Sequence, residues 1–362
     1  MDKIKVDFLC LFQEGTGQTV YFKGLSEELK NSVDLKIILP NNSLIFSFLN
    51  HFSNSVALKF LPFLVKKEIR KNSIVHIVNQ ELFFLIPLIK NPLVLTLHDL
   101  SLYSYYKAWD ENDVILLDKA EKILCDSVST KNDLSENFPL MQKKCKVIYC
   151  GHPSGLTKST QNIRKKYFLN DSDTLILFVG SDDKKKNFFS LLKVFSKLKE
   201  KNLVLVKIGS PWSIEGNNSQ RKKFQEFIAK NNLEKKVRFL DFIPKQDLVD
   251  FYFSAEVYVN PSHFEGFGFT LIEAMACGCP VICSNNTSFP EVAGNAALFF
   301  NSKNESELKE KLELVLNNKK LKEKLISNGC ENIKRFNWKK SAGQLFELYR
   351  QIIKEKKEEK GN

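Results

Sequence analysis

The chain has few of the features that mark several common classes of protein. Its eight cysteines are scattered over 362 residues and form no C-x-x-C pair, which argues against a zinc site or a disulfide framework and favours reduced thiols. No apolar run reaches the roughly 18 residues that a membrane span needs, and the N-terminal segment has no cleavable signal pattern. These absences predict a cytoplasmic protein.

The chain has fewer acidic than basic residues, 42 against 54, which leaves a net charge of +12. Such an excess is compatible with a nucleic-acid partner, with an anionic membrane surface, or with a proteome generally rich in lysine. The lysines are spread over the predicted helices, and no nucleic-acid-binding module is recognisable. We therefore expect no nucleic-acid partner.

Short apolar strands alternate with helical segments along the whole chain. The length suits two domains of about 150–180 residues each. The alternation predicts α/β domains with parallel sheets and ligand loops at the carboxyl ends of the strands. Residues 151–172 are rich in Gly, Pro, Ser, Thr, Lys and Asn, break the alternation, and are typical of a linker. Strands are predicted at 4–12, 33–39, 74–78, 93–97, 123–125, 147–149, 175–179, 203–208, 237–240, 255–259 and from 281.

Residues 260–291 carry the most distinctive pattern. Glu265 precedes two glycines, Gly266 and Gly268, and Glu273 follows in the first turns of a predicted helix. Unpaired N–H groups at such a helix start favour a phosphate, and carboxylates suit vicinal diols such as those of a ribose. The alternatives are an ordinary strand–helix–strand crossover and, for Glu273, a helix-dipole partner. We favour a ligand site.

A second pattern lies between a strand and a helix at residues 180–187. Three lysines, Lys184, Lys185 and Lys186, crowd the start of the helix, which is the unfavourable end for cations unless an anion lies between them. A diphosphate would resolve this conflict, and a solvated charge run is the alternative. For Asp182 and Asp183, neutralisation by these lysines is favoured over a metal site.

Two weaker signals lie in the first half of the chain. Gly15 and Gly17 form a glycine pair without the third glycine of a dinucleotide fingerprint, so NAD binding has little support. His98 directly follows a predicted strand, on the ligand side of an open parallel sheet. A buried, hydrogen-bonded histidine is the equal alternative.

Together these motifs closely resemble the signature of the retaining family-four glycosyltransferases. The resemblance is carried by PSHFEGFG at 261–268, EAMACGCPVI at 273–282 and FPEVAGNAA at 289–297, with FVG at 178–180, KN at 186–187 and TLHDL at 96–100. It spans both halves of the chain. Two departures are Ser181, where many relatives have Arg, and Gly-Thr-Gly at 15–17 in place of adjacent glycines.

The resemblance implies an α/β fold of the GT-B class, with two Rossmann-like, doubly wound domains facing an interdomain cleft. Residues 1–152 would form the acceptor-binding domain and 153–335 the domain that binds the nucleotide sugar. Residues 336–362 would form a helix that crosses back to the first domain.

The resemblance also implies roles for individual residues. Glu265 would contact the hydroxyls of the donor sugar, Lys186 the diphosphate, and His98 the reaction centre, and these three are the predicted catalytic residues. No metal ligand is expected. The predicted donor-binding residues are Gly15, Gly17, Gly180, Lys185, Lys186, Gly266, Phe267, Gly268, Phe269, Thr270, Leu271 and Glu273.

The implied activity is transfer of a hexose, with retention, from a nucleotide-diphosphate sugar to a glycan or a lipid-linked saccharide. GDP-mannose is favoured over UDP-sugars, surface polysaccharide or lipopolysaccharide biosynthesis is the implied setting, and no cofactor or obligatory metal is expected. A non-transferring sugar-nucleotide epimerase of the same fold and a non-catalytic sugar- or nucleic-acid-binding protein remain alternatives. Residues 44–71 combine Phe/Leu clusters with a basic end and are compatible with peripheral contact with the inner face of an anionic membrane, or with a helix pair packed on the sheet.

Overall fold

The computed structural model describes residues 3–11, 16–39, 65–107, 110, 114–153, 155–200, 202–211 and 219–361. The chain divides into two compact units. One comprises Met1–Gly151 together with Asn337–Asn362, and the other comprises His152–Phe336. Each unit is organised around its own six-stranded sheet.

Both sheets are entirely parallel, as the alternation of strands and helices predicts. The strand order is β2-β1-β3-β4-β5-β6 in the first unit and β12-β11-β10-β7-β8-β9 in the second. The inner strands β3, β4, β8 and β10 are buried at every position because helices and loops cover both faces. The strands are β1 (Lys5–Leu9), β2 (Asp34–Ile38), β3 (Ile74–Ile77), β4 (Leu93–Leu97), β5 (Lys122–Cys125), β6 (Cys145–Val147), β7 (Thr174–Val179), β8 (Leu203–Ile208), β9 (Val237–Leu240), β10 (Val257–Asn260), β11 (Val281–Ser284) and β12 (Ala297–Phe300).

Eleven α-helices are delimited in the described ranges, together with five 3-10 helices, the longest at Gln80–Leu88, and a π-helix at Ser101–Tyr105. Most are amphipathic and bury one stripe against a sheet, as helices on the surface of a globular domain do. The helices are α1 (Gly17–Leu29), α2 (Val128–Asn137), α3 (Ile163–Lys166), α4 (Phe188–Phe195), α5 (Ser219–Lys230), α6 (Lys245–Ser254), α7 (Phe269–Ala276), α8 (Phe289–Ala293), α9 (Glu305–Asn317), α10 (Lys319–Asn332) and α11 (Trp338–Gly361).

The interpretation of residues 151–172 as a linker is wrong for most of that range. Ile163, in α3, and Leu169 are buried in the core of the second unit. Ser159 is held by the Asp250 carboxylate, to which it donates from its backbone N (2.8 Å) and from Oγ (2.5 Å). The segment lacks periodicity because single side-chain contacts, rather than a regular apolar face, attach it to the unit.

The last helix, α11, packs against α1 within the first unit. Its apolar stripe is buried, and Ser341 Oγ donates a 2.5 Å hydrogen bond to the Tyr149 carbonyl. The Trp338 indole lies directly against the backbone at Gly24 and Gly151, where an added Cβ would approach it to 2.3 and 2.4 Å. The helix is therefore docked through a contact that only glycine permits.

Within the part of the chain that the structure describes, no helix combines the length and the hydropathy that crossing a membrane requires.

We expect Gly24→Ala to lower the free energy of unfolding by about 1–3 kcal/mol, because the new methyl group must displace the Trp338 ring. The matched control is Gly343→Ala in α11, where an added Cβ meets nothing within 4 Å and stability should stay level or rise by up to about 1 kcal/mol. Urea unfolding of both variants measures the difference. Equal stability of the two variants would contradict the close packing of Trp338.

Candidate functional site

The loops that follow β7 and β10 lie side by side at the carboxyl edge of the second sheet, because these two strands are parallel neighbours. The Lys185 carbonyl accepts a 2.7 Å hydrogen bond from the His263 backbone N. The side-chain amide of Asn187 donates to the carbonyls of Pro261 and Ser302, both at 3.0 Å. Asn187 is in the left-handed region, with φ 53°, which asparagine tolerates better than most residues. These bonds fix the two loops against each other.

Lys186 and Glu265 form an ion pair across these loops, with Nζ 2.6 Å from Oε1. The Glu265 carboxylate also accepts from Ser262 Oγ at 3.0 Å, and its backbone N donates to Thr287 Oγ1 at 3.1 Å. The two side chains are only 22% and 13% exposed. Two of the three residues predicted to be catalytic are thus in contact.

The three lysines precede α4 in a 3-10 turn, Lys184–Lys186. Asp183 caps this turn, its Oδ1 accepting from the Lys185 backbone N at 3.0 Å. Helix α4 then begins after Asn187. The turn therefore places three cationic side chains just before the helix, as the sequence predicts.

The expectation that the neighbouring lysines neutralise Asp182 is wrong. Asp182 is 1% exposed, and its carboxylate lies 2.5 Å from Lys207 Nζ and 2.6 Å from Arg221 Nε. Arg221 also pairs with Asp241 at 2.8 Å. Burial lowers the pKa of Lys207 to about 8, although the Asp182 charge acts in the opposite direction. These charges come from β8, α5 and the end of β9, so their proximity is a tertiary effect.

Lys207 is the residue of this cluster that a sequence signal could have revealed. It is a single charged residue in the otherwise apolar strand LVLVKI, and a fully buried lysine needs a partner. Its Nζ also donates to the Gly209 carbonyl at 2.7 Å. The cluster thereby holds the loops after β7 and β8, which flank the lysine turn.

Glu273 lies in the second turn of α7 and is partly buried. Burial raises the pKa of its carboxyl to about 7, while a hydrogen bond from Tyr252 OH (3.2 Å) and the charge of Lys245 oppose the rise. Since the first turn of α7 holds no acidic residue, the helix-dipole alternative does not apply. The carboxyl lines a small surface recess together with Leu156, Lys245, Leu248, Val249 and Tyr252.

The glycine turn at 266–268 leads directly into α7. Gly268 is its N-cap with φ 91°, and an added Cβ would lie 2.8 Å from the Phe289 ring, so only glycine fits there. The Phe267 ring packs edge-on against Phe269 and Phe336. The Phe267 and Leu271 side chains are both buried. Any ligand here would therefore meet the backbone of these residues.

The remaining predicted donor-binding residues of the second unit have internal partners. Thr270 Oγ1 accepts a 2.7 Å hydrogen bond from Tyr258 OH. The Gly180 backbone N donates to the Ile208 carbonyl at 2.8 Å. Gly209, with φ 128°, lies so close to Gly180 that a Cβ added at Gly209 would be 2.4 Å from the Gly180 carbonyl oxygen.

Two predicted site residues of the first unit are described by the structure. Gly17 is the first residue of α1, where Thr16 is the N-cap. His98 follows β4, and its side chain is 12% exposed, with Nδ1 2.6 Å from Asp126 Oδ2 and Nε2 2.9 Å from the Val78 carbonyl oxygen. The ring thus has the contacts of the buried-histidine alternative, and its catalytic role stays a prediction. Gly15 lies outside the described residues.

Over the described ranges, no group of three or more His, Cys, Asp or Glu side chains is placed to hold a metal ion.

The fold places the chain in a structural class. It is similar to HepE of Anabaena, solved with UDP and glucose, with a TM-score of 0.82 and 16% identity over 96% of this chain and 100% of that one. It is also similar to sucrose-phosphate synthase of Thermosynechococcus elongatus, with a TM-score of 0.76 and 19% identity over 97% and 99% of the two chains. Two Rossmann-like α/β units of this kind define the GT-B class, as the sequence resemblance implies.

The sequence comparisons match a part of the chain to a family of proteins. Residues 159–332 match the family model described as glycosyl transferases group 1. This segment of the second unit is therefore similar to the group 1 glycosyltransferases.

Curated relatives have more specific names. The O-antigen chain mannosyltransferase B of Escherichia coli is 29% identical over 175 residues, 48% of this chain and 45% of that protein. N-acetylgalactosamine-N,N'-diacetylbacillosaminyl-diphospho-undecaprenol 4-alpha-N-acetylgalactosaminyltransferase of Campylobacter jejuni is 30% identical over 231 residues, 63% of this chain and 60% of that protein. The match thus spans about half to three fifths of each relative's length.

We expect Glu273→Gln to stabilise the protein at pH 8 by about 1–3 kcal/mol. The pKa of Glu273 is raised from 4.5 to about 7, so its ionisation opposes folding. The wild-type free energy of unfolding should therefore fall relative to the variant as the pH rises from 4.5 to 7, and the difference should be constant above that. Urea unfolding at pH 4.5, 6 and 8 measures it, with the exposed Glu226→Gln in α5 as control. A difference that does not change with pH would contradict the buried-carboxyl assignment.

Proposed function

We propose that this protein is a glycosyltransferase that moves a hexose from a nucleoside-diphosphate sugar to a saccharide or lipid-linked acceptor. The observation that carries the proposal is the Lys186–Glu265 pair, a cation and a carboxylate 2.6 Å apart at the carboxyl edge of the second sheet. An ammonium group is suited to the donor's phosphates, and a carboxylate accepts hydrogen bonds from sugar hydroxyls. The match of residues 159–332 to the family model supports the same activity.

In this proposal donor binding replaces the internal ion pair with contacts to the ligand. Lys186 moves its charge from Glu265 to the diphosphate, and Glu265 is then available to the sugar hydroxyls. Glu273 binds the ribose diol, and backbone N–H groups at 266–271 meet the sugar and phosphate. His98 is assigned to the reaction centre.

Transfer proceeds with retention at the anomeric carbon. The bond between that carbon and the diphosphate oxygen breaks, and its electron pair leaves with the diphosphate. The acceptor hydroxyl oxygen forms the new bond on the same face, and its proton passes to an oxygen of the departing phosphate. Lys186 stabilises the charge that develops on the leaving group, a task that a metal ion performs in other enzymes. We therefore propose that no metal is obligatory.

For the donor we propose a mannose nucleotide, GDP-mannose ahead of UDP-sugars. The similarity to a protein named as a mannosyltransferase supports this choice, as does the Phe289-Pro290-Glu291 form of the motif, which resembles mannosyltransferase-like members. For the setting we propose surface polysaccharide or lipopolysaccharide synthesis, because relatives are named for O-antigen and for a diphospho-undecaprenol-linked acceptor.

We predict that Lys186→Ala and Glu265→Gln each lower kcat/KM by about 100-fold or more, since each removes a charge that contacts the reacting part of the donor. The matched control is Lys193→Ala in α4, which breaks a comparable ion pair with Glu305 (3.0 Å) away from the site and should leave activity unchanged. Unfolding curves check that all three variants remain folded. Full activity of either site variant would defeat the assignment.

The assay is a panel of GDP- and UDP-sugars with saccharide and lipid-linked acceptors, in which released nucleoside diphosphate and glycosylated product are both measured. A transferase yields the two in equal amounts, also in the presence of EDTA. An epimerase converts the sugar nucleotide without a transfer product, and a binding protein releases nothing. Either of these results would overturn the proposed function.

We also propose peripheral contact with an anionic membrane through residues 44–71. Most of this range, 44–64, lies outside the described residues, so the proposal depends on its Phe/Leu clusters and basic end. We expect the protein to float with liposomes that contain anionic lipid at low salt and to dissociate at high salt, with zwitterionic liposomes as the control. Absence of co-flotation at low salt would dismiss membrane contact.

A further inference from the structure

His98 and Asp126 are brought together by the register of two neighbouring strands. β4 and β5 are parallel, with Leu97 opposite Cys125. The first residues beyond the two strands, His98 and Asp126, therefore lie next to each other. Asp126 is 2% exposed, and its Oδ2 lies 2.6 Å from His98 Nδ1. This contact is made by residues 28 positions apart, and the motif around His98 does not predict it.

Both ring nitrogens of His98 face hydrogen-bond acceptors. Nδ1 faces the Asp126 carboxylate, and Nε2 lies 2.9 Å from the Val78 carbonyl oxygen beyond β3. A backbone carbonyl cannot donate, so Nε2 carries a hydrogen, and a carboxylate that accepts from Nδ1 requires a second hydrogen on the ring. The geometry therefore favours the imidazolium form of the ring.

The negative charges near His98 also favour a positively charged ring. Burial alone lowers the pKa of His98, but the charge and hydrogen bond of Asp126 and the charges of Glu81 and Asp99 outweigh it, and the pKa is raised. The neighbouring His76 stays neutral, because burial and the His98 charge lower its pKa to about 3. The titratable groups around the ring are Asp126 after β5, Glu81 in the 3-10 helix, Asp99 beside it in sequence, Tyr21 in α1 and His76 in β3.

The ring is also fixed by packing. The Tyr21 ring contacts it edge-on, with centroids 5.0 Å apart. Tyr21 OH lies 3.2 Å from Thr96 Oγ1, which is 2.8 Å from His76 Nε2. His76 Nδ1 in turn lies 2.7 Å from Tyr349 OH of α11. This buried chain of polar contacts leaves the imidazole little freedom to rotate.

The surroundings of the Asp126 carboxylate are not those that would give the greatest stability. Its second oxygen, Oδ1, is buried and forms no hydrogen bond of ordinary geometry among the described residues. The nearby group is the Cys150 thiol, whose pKa is raised by burial and by Asp126. An unsatisfied buried acceptor is destabilising. Such a cost is typical of positions where function constrains the side chain.

We propose that Asp126 is a positioning residue that holds His98 as a permanently protonated, fixed cation at the carboxyl edge of the first sheet. A doubly hydrogen-bonded imidazolium cannot act as a general base. Given the function proposed above, His98 therefore contributes a fixed ring orientation and a fixed charge, and it takes no proton from the acceptor.

The test uses the full chain labelled with ¹⁵N in its five histidines. Long-range ¹H–¹⁵N spectra, with His98→Gln for assignment, report protonation of each ring nitrogen against pH. In the wild type we expect both His98 nitrogens protonated at pH 7. In Asp126→Asn the His98 midpoint should fall by about one pH unit or more, and the pH above which kcat falls should shift by the same amount, with kcat at pH 8 reduced about 10-fold.

The matched control is Asp133→Asn in α2, whose carboxylate accepts from Ser104 Oγ at 3.0 Å, and it should change neither readout. A neutral His98 at pH 7 in the wild type, which requires no variant to fold, would overturn the proposal. So would an unchanged His98 midpoint in Asp126→Asn, or a shifted midpoint with an unchanged pH profile of kcat. If no donor gives product, the proposed transferase fails, while the spectra still decide whether Asp126 fixes the charge of His98.

Discussion

The candidate site of the second unit depends on the side-chain amide of Asn187. From a left-handed backbone position it donates to the carbonyls of Pro261 and Ser302, and so joins the loops that follow β7, β10 and β12. No other residue type combines tolerance of this backbone conformation with a two-hydrogen donor of the same length. Because these loops are joined, Lys186 meets Glu265 with both side chains largely enclosed.

Near the Asn187 hydrogen bonds, the second unit has buried charged side chains at positions where a core selected only for stability would have apolar ones. Asp182 and Asp241 neutralise Lys207 and Arg221 in this cluster, and removing Asp182, Lys207 or Arg221 would leave an uncompensated buried charge. Burial raises the pKa of the Glu273 carboxyl, and no cation among the described residues forms an ion pair with it. The cluster around Asp182 braces the loops that flank the lysine turn, whereas the Glu273 carboxyl lines a surface recess. Burial thus braces the loops in one case, and in the other it raises the pKa of a carboxyl beside a surface recess.

Much of the fold was predictable from periodicity. The strands at Leu93–Leu97, Leu203–Ile208 and Val237–Leu240 are found where the apolar runs predicted them, because buried parallel strands are continuously apolar. Weakly patterned elements were missed: β12 is short, and α5 is strongly polar and buries only one stripe. The segment at 151–172 was misjudged because individual contacts such as Ser159–Asp250 have no periodic signature.

By itself the sequence determined the class of fold and the identity of the motif residues, because strand periodicity, glycine turns and the Glu265–Glu273 pattern are local properties of the chain. Only the tertiary structure decided which charges meet. Lys186 contacts Glu265 across 79 positions, Asp182 pairs with Lys207 rather than with its sequence neighbours, and Asp126 pairs with His98. Such pairs depend on strand order and register, and these follow from the packing of the whole sheet rather than from any one segment.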